Sequence, residues 1–122
     1  MARRRISDED GGAAVRAWMA AFGSADPVAR PVLAAAVRWT LEELASRAPG
    51  RSVEVRVPPF AAVQCIPGPV HTRGTPPAVI ETDPDTWLEI ATGALSWADA
   101  QRSRRLRSSG QRADLTPFLP LT

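Results

Sequence analysis

The run Val53-Glu54-Val55-Arg56-Val57 constrains this chain more than any other segment. Apolar and charged side chains alternate with a period of two, so the run predicts a strand with one buried face and one wet face. Flanking segments must therefore cover the valine side. Upstream, Val15, Trp18, Met19 and Phe22 recur at i, i+3, i+4 and i+7, which predicts one apolar stripe on a helix. Ser7 or Asp8 can cap it, Gly11 and Gly12 weaken its first turn, and Gly23-Ser24 ends it. A longer helix is predicted from Asp26-Pro27 or Arg30-Pro31 to Pro49-Gly50. Its apolar face runs through Leu33, Ala36, Val37, Thr40, Leu41 and Leu44, widened by Val32 and Trp39.

Downstream, Pro58-Pro59 predicts a tight reversal. Residues 60–66 are then apolar on both faces, with Gln64 the only polar side chain, as in a central strand covered on both sides or one lining an internal cavity. Residues 67–77 predict a Gly/Pro-rich loop carrying His71 and Arg73, and residues 78–82 a third strand. Thr82-Asp83-Pro84-Asp85 is a helix start: a cap, a proline at the next position and an acid at the positive end of the dipole. That helix carries Trp87, Leu88, Ile90 and Ala91 and weakens at Gly93. Ser96 and Asp99 open a short helix at Trp97, a short segment follows at Leu106, and Asp114 can cap a last turn holding Leu115, Phe118 and Leu119. This order predicts an α+β fold, a mainly antiparallel sheet with helices on one face. A single domain spanning 1–122 is expected, with a flexible basic N-terminus at 1–7 and the folded part at 13–122.

Composition narrows the chemistry. With 122 residues, 44% hydrophobic and 23% charged, the chain reads as one globular domain. The net charge is only +2, yet the isoelectric point is about 9.9. All 15 basic residues are Arg, and there is no Lys and no Tyr, so a small excess of charge persists over a wide pH range. The high isoelectric point is therefore weak evidence for nucleic acid, and lysine chemistry is excluded. One Cys excludes an internal disulfide. No apolar run approaches the roughly 20 residues that span a bilayer, and Asp8, Glu9 and Asp10 stand where a signal peptide is apolar. The cytoplasm is the expected compartment.

Catalysis would have to use Cys65 and His71, the only residues of their kinds. The simpler reading is a small buried thiol and an exposed loop histidine, and zinc lacks the ligands it needs. Glu81, Asp83, Asp85 and Glu89 match the capping of a helix start better than a cation site. Arg102, Arg104, Arg105 and Arg107 lack interleaved aromatics and read as a solvated helix end, with a transient membrane-surface contact as a lesser option. Trp18, Trp39, Trp87 and Trp97 each read as core packing, but jointly, with the doubly apolar strand, they allow a cavity between sheet and helices.

The stretch Thr82-Asp83-Pro84-Asp85-Thr86-Trp87-Leu88-Glu89-Ile90-Ala91-Thr92-Gly93, then Leu95-Ser96-Trp97-Ala98-Asp99-Ala100, Leu106-Arg107-Ser108-Ser109-Gly110 and Ala113-Asp114-Leu115 resembles the C-terminal half of the sterol carrier protein type 2 superfamily. Arg56-Val57-Pro58-Pro59-Phe60-Ala61-Ala62-Val63-Gln64-Cys65 and His71-Thr72-Arg73-Gly74-Thr75-Pro76-Pro77 resemble its compact, standalone bacterial branch. The resemblance implies a mostly antiparallel five-stranded sheet with helices over one face. The chain is short between the second and third strands, where longer members add a strand, so four strands are the alternative. It also implies an apolar tunnel for a fatty acyl chain or a sterol-like lipid, with no cofactor and no covalent chemistry. Val37, Trp39, Leu41, Phe60, Val63, Cys65, Leu88, Ala91, Phe118 and Leu119 are the residues it places along that tunnel. The alternative is an accessory or scaffold protein of the same fold, binding a protein instead of lipid.

Overall fold

The alternating segment is β1 (Val53–Val57), and it lies inside the sheet. A computed structural model describes residues 6–71 and 73–122, so residues 1–5 of the expected flexible N-terminus lie outside the described residues. Before β1 come α1 (Asp8–Ala21) and α2 (Arg30–Arg47); after it come β2 (Ala61–Cys65), β3 (Ala78–Thr82), α3 (Pro84–Thr92), α4 (Trp97–Arg102), β4 (Leu106–Gly110) and a 3-10 turn at Thr116–Phe118.

The described strands form a four-stranded sheet in the order β2-β1-β3-β4, the smaller of the two expected strand numbers. β1 pairs antiparallel with β2 and parallel with β3, and β3 pairs antiparallel with β4. The register stacks Val53 beside Ala78 and Cys65, and Val55 beside Ile80 and Val63, on one face. Val53, Val55, Val57, Ala78 and Ile80 are all buried there, under α2 and α3. Glu54, Arg56, Glu81 and Arg107 share the other face, where Glu81 stands between the two arginines in register.

β2 is an edge strand, which corrects the expectation of a central one. Its outward positions are Ala62 and Gln64, and Ala62 is exposed. A methyl group reads as apolar in a pattern yet costs little to leave in water, so the doubly apolar signal came from alanine rather than from burial on two sides. The loop at 67–77 carries the chain from β2 past β1 to β3; these two strands run antiparallel, but β1 lies between them, so no tight hairpin can join them.

Helix ends follow their local chemistry. The Ser7 hydroxyl accepts from Asp10 N at 3.1 Å, the Asp83 carboxylate from Thr86 N at 3.0 Å, and the Ser96 hydroxyl from Asp99 N at 3.1 Å. Gly93 ends α3 in the left-handed conformation, φ +86°, which glycine adopts without steric cost.

α1 packs on α2 rather than on the sheet. Gly11 is buried there, and a Cβ at that position would fall 2.0 Å from Cγ of Trp39. The glycine that weakens the helix on propensity is thus what lets the Trp39 ring lie against the α1 backbone. Val15 and Trp18 are buried as the stripe predicts, but Met19 and Phe22 are 53% and 45% exposed. α1 rotates its contact face toward Gly11, Ala14, Val15 and Trp18, and leaves the last part of the expected stripe outside.

Candidate ligand-binding site

The ten residues expected to line a tunnel fall into two sets. Val37, Leu41, Cys65, Leu88 and Ala91 are fully buried in the apolar cluster between sheet and helices, with Trp39 at its α1 side. Phe60, Val63, Phe118 and Leu119 are half-buried and pack against that cluster. Leu119 additionally lines an open cleft at the far end of α3.

The tryptophans are held by their N–H groups as well as their rings. Trp39 Nε1 donates to Asp8 Oδ1 at 3.1 Å, and Trp18 Nε1 to Asp85 Oδ1 at 2.9 Å, so indole–carboxylate bonds fasten both ends of α1. Trp87 Nε1 donates to the buried Thr40 hydroxyl at 2.8 Å, joining α3 to α2, while that hydroxyl donates back to the α2 backbone. Thr40, counted from its spacing as part of an apolar face, is the acceptor that allows Trp87 to be 1% exposed. Trp97 differs: its Nε1 is buried and has no acceptor among the described residues.

Burial pushes the Cys65 thiol up to about 12, so the sulfur is neutral and unreactive at physiological pH. His71 is exposed on its loop, with Nδ1 3.2 Å from the Thr75 hydroxyl. Thiol and imidazole are thus a buried core group and a solvated loop group. Among the described residues no group of three or more His, Cys, Asp or Glu could hold a metal ion. Nor is any described helix long and apolar enough to cross a membrane.

The arginine run is more ordered than a solvated helix end. Arg105 pairs with the buried Glu89 carboxylate and donates to the Thr86 hydroxyl, while its carbonyl accepts from Thr82 Oγ1 at 2.8 Å. That network ties α3 to the turn before β4, and the hydrogen bond to Glu89 holds the guanidinium pKa above its ordinary value. Arg102 pairs with Asp99 and is the main reason that carboxyl lies below the usual range. Arg104 and Arg107 line a polar cleft of about 340 Å³ that they share with Glu81 and Asp83.

Two of the described clefts have a tryptophan among mostly apolar walls. One, about 310 Å³, lies at the α1–α2 junction between Trp18, Phe22, Pro27, Val28 and Leu33. The other, about 230 Å³, lies between the α3–α4 junction and the C-terminal segment, with Ile90, Leu95, Trp97, Leu119 and Pro120 on its walls. Of these walls only Leu119 is among the ten expected lining residues; Trp97 was expected as core packing and as one of four tryptophans that jointly allow a cavity. Its helical start was legible, but the tail that packs beside it comes from residues 116–120, and only the fold brings them together.

Residues 29–121, most of the sheet-and-helix assembly just described, match the sequence model of a family described as bacterial SCP ortholog. The chain belongs to that family. The match begins one residue before α2, so α1 lies outside it. The resemblance to the sterol carrier protein type 2 superfamily is therefore upheld over most of the chain. No curated protein matches the sequence.

Proposed function

We propose that this chain is a non-catalytic lipid-binding module of the sterol carrier type, holding an acyl chain or a sterol-like molecule in the layer between sheet and helices. Membership in the bacterial SCP ortholog family over residues 29–121 carries this reading. The apolar cluster supports it, because all ten expected lining residues belong to it or pack against it. Val37, Trp39, Leu41, Cys65, Leu88 and Ala91 form the interior wall in this reading, and Phe60, Val63, Phe118 and Leu119 the rim. Side chains occupy that layer, so a ligand enters by displacing them, and the half-buried rim is where displacement costs least. Each CH₂ of an acyl chain contributes about 0.8 kcal/mol as it leaves water, which offsets the displacement over several carbons. The cytoplasm is the proposed compartment, with the arginines of 102–107 making at most a transient contact with an anionic membrane surface.

The alternative, an accessory protein that binds a protein partner, draws on the filled interior and on exposed Met19 and Phe22. Titration with a fluorescent acyl-chain probe separates the two. A lipid binder saturates with the probe, and Val63→Gln weakens it without unfolding the domain. Absence of saturable binding, together with a stable protein complex lost on Met19→Glu, supports the alternative.

A further inference from the structure

The apolar cleft at the end of α3 carries an inference of its own, which rests on the lipid-binding reading. Buried indole N–H groups almost always have a partner, and Trp18, Trp39 and Trp87 each donate to a named oxygen. Trp97 is 5% exposed, and its N–H finds no acceptor among the described residues. An unmet donor of this kind marks a place where a partner from outside belongs. Trp97 lines the cleft of about 230 Å³ together with Leu119, Pro120, Ile90 and Leu95. No charged side chain lines that cleft; its walls carry the side chains of Ser96 and Thr116 and the Trp97 indole among apolar groups.

The tail wall is anchored just past the cleft: Leu121 is buried, its N donates to Ala91 O at 2.7 Å, and Arg47 Nη2 donates to Leu121 O at 2.7 Å. The Trp97 N–H has almost no accessible surface, so a ligand that meets it has to shift the cleft wall. The geometry points to this cleft as a ligand site in which the Trp97 indole N–H donates to the carbonyl oxygen of a neutral acyl ester, the chain lying against Ile90, Leu95 and Leu119. The ionised free acid is excluded by the same lining. A carboxylate brought there loses its water with no cation to replace it, whereas an ester carbonyl needs only the one donor on offer. The volume suits a molecule of roughly eight heavy atoms, taking about 30 Å³ for each water-sized group, and longer chains project through the open mouth.

The test uses the full chain labelled with ¹⁵N, whose four indole N–H signals are assigned by single Trp→Phe variants. Methyl hexanoate and sodium hexanoate are the probes. The expected result is a saturable downfield shift of the Trp97 indole signal with the ester and none with the hexanoate anion. Trp97→Phe keeps an aromatic wall and deletes only the donor. It is expected to leave the melting temperature unchanged or higher and to weaken the ester by about fivefold to tenfold. Equal shifts with ester and anion, or an ester affinity unchanged in Trp97→Phe, overturn the assignment. A Trp97 signal that stays still while a fluorescent acyl probe binds elsewhere overturns this site and leaves the lipid-binding reading standing. Failure of the ester and of the fluorescent acyl probe alike overturns the two together.

Discussion

Alkaline pH should destabilise this protein through a single side chain. The sequence has no Lys and no Tyr, and Arg stays protonated, so between about pH 9 and 12 the only side chain that titrates is Cys65. In the folded chain the thiol is 0% exposed under α2 at the β2 edge of the core, and burial raises its pKa from 9.0 to about 12. The unfolded chain therefore loses this proton at a pH where the folded chain still holds it. With fewer protons bound in the unfolded state, stability falls as pH rises: it is complete below about pH 9 and declines through the window up to about 12. The slope approaches about 1.4 kcal/mol per pH unit, or about 4 kcal/mol across the window, a large part of what a small domain has. Urea unfolding followed by circular dichroism at half-unit steps from pH 8 to 11.5 measures it. Cys65→Ala lowers stability by a constant amount through the lost packing and flattens the slope. A wild-type stability that is level across this range, or a slope that survives in Cys65→Ala, rules out the buried thiol as the source of the pH dependence.

The adjacent glycines of α1 should respond with opposite signs. Gly12→Ala meets only the mobile end of Arg16, at 3.2 Å, and stabilises by about 0.5–1 kcal/mol through helix propensity. Gly11→Ala drives a methyl into the Trp39 ring, and an overpacking cost of about 1–3 kcal/mol outweighs the same propensity gain. Urea midpoints of the two variants check this, and a Gly11→Ala protein as stable as Gly12→Ala contradicts the α1–α2 contact. Arg105→Ala leaves the Glu89 carboxylate, 9% exposed, without its cation. The loss should be about 1–3 kcal/mol, below the full cost of breaking a buried pair because Arg105 is partly solvated. The double variant with Glu89→Gln should recover part of it, and a double variant no more stable than Arg105→Ala would remove the pairing argument.

Much of this architecture was legible because it is written in local chemistry. The Val53–Val57 alternation, the Ser7, Asp83 and Ser96 caps and the Gly93 stop each state a backbone preference within a few residues, and each is found in place. What was not legible depends on which elements become neighbours. The parallel pairing of β1 with β3 is set by a loop that crosses the sheet end, and no pattern inside either strand announces it. Placing β2 at the edge turns on Ala62, whose methyl satisfies either environment. Met19 and Phe22 continue a correct helical period on a helix whose contact face is chosen by Gly11 and Trp39, a pair 28 positions apart in the sequence. For the candidate site, the apolar cluster followed from periodicity. The unmet Trp97 donor did not, because an absent partner is a property of the assembled fold.

Native mass spectrometry of the protein taken from cells, set against the same sample denatured, asks whether this fold carries a lipid. A lipid carrier gives a species heavier than the bare chain by the mass of an acyl or sterol-like lipid, released on denaturation and diminished in Val63→Gln. A single species at the mass of the bare chain, unchanged after incubation with acyl lipids, contradicts that role.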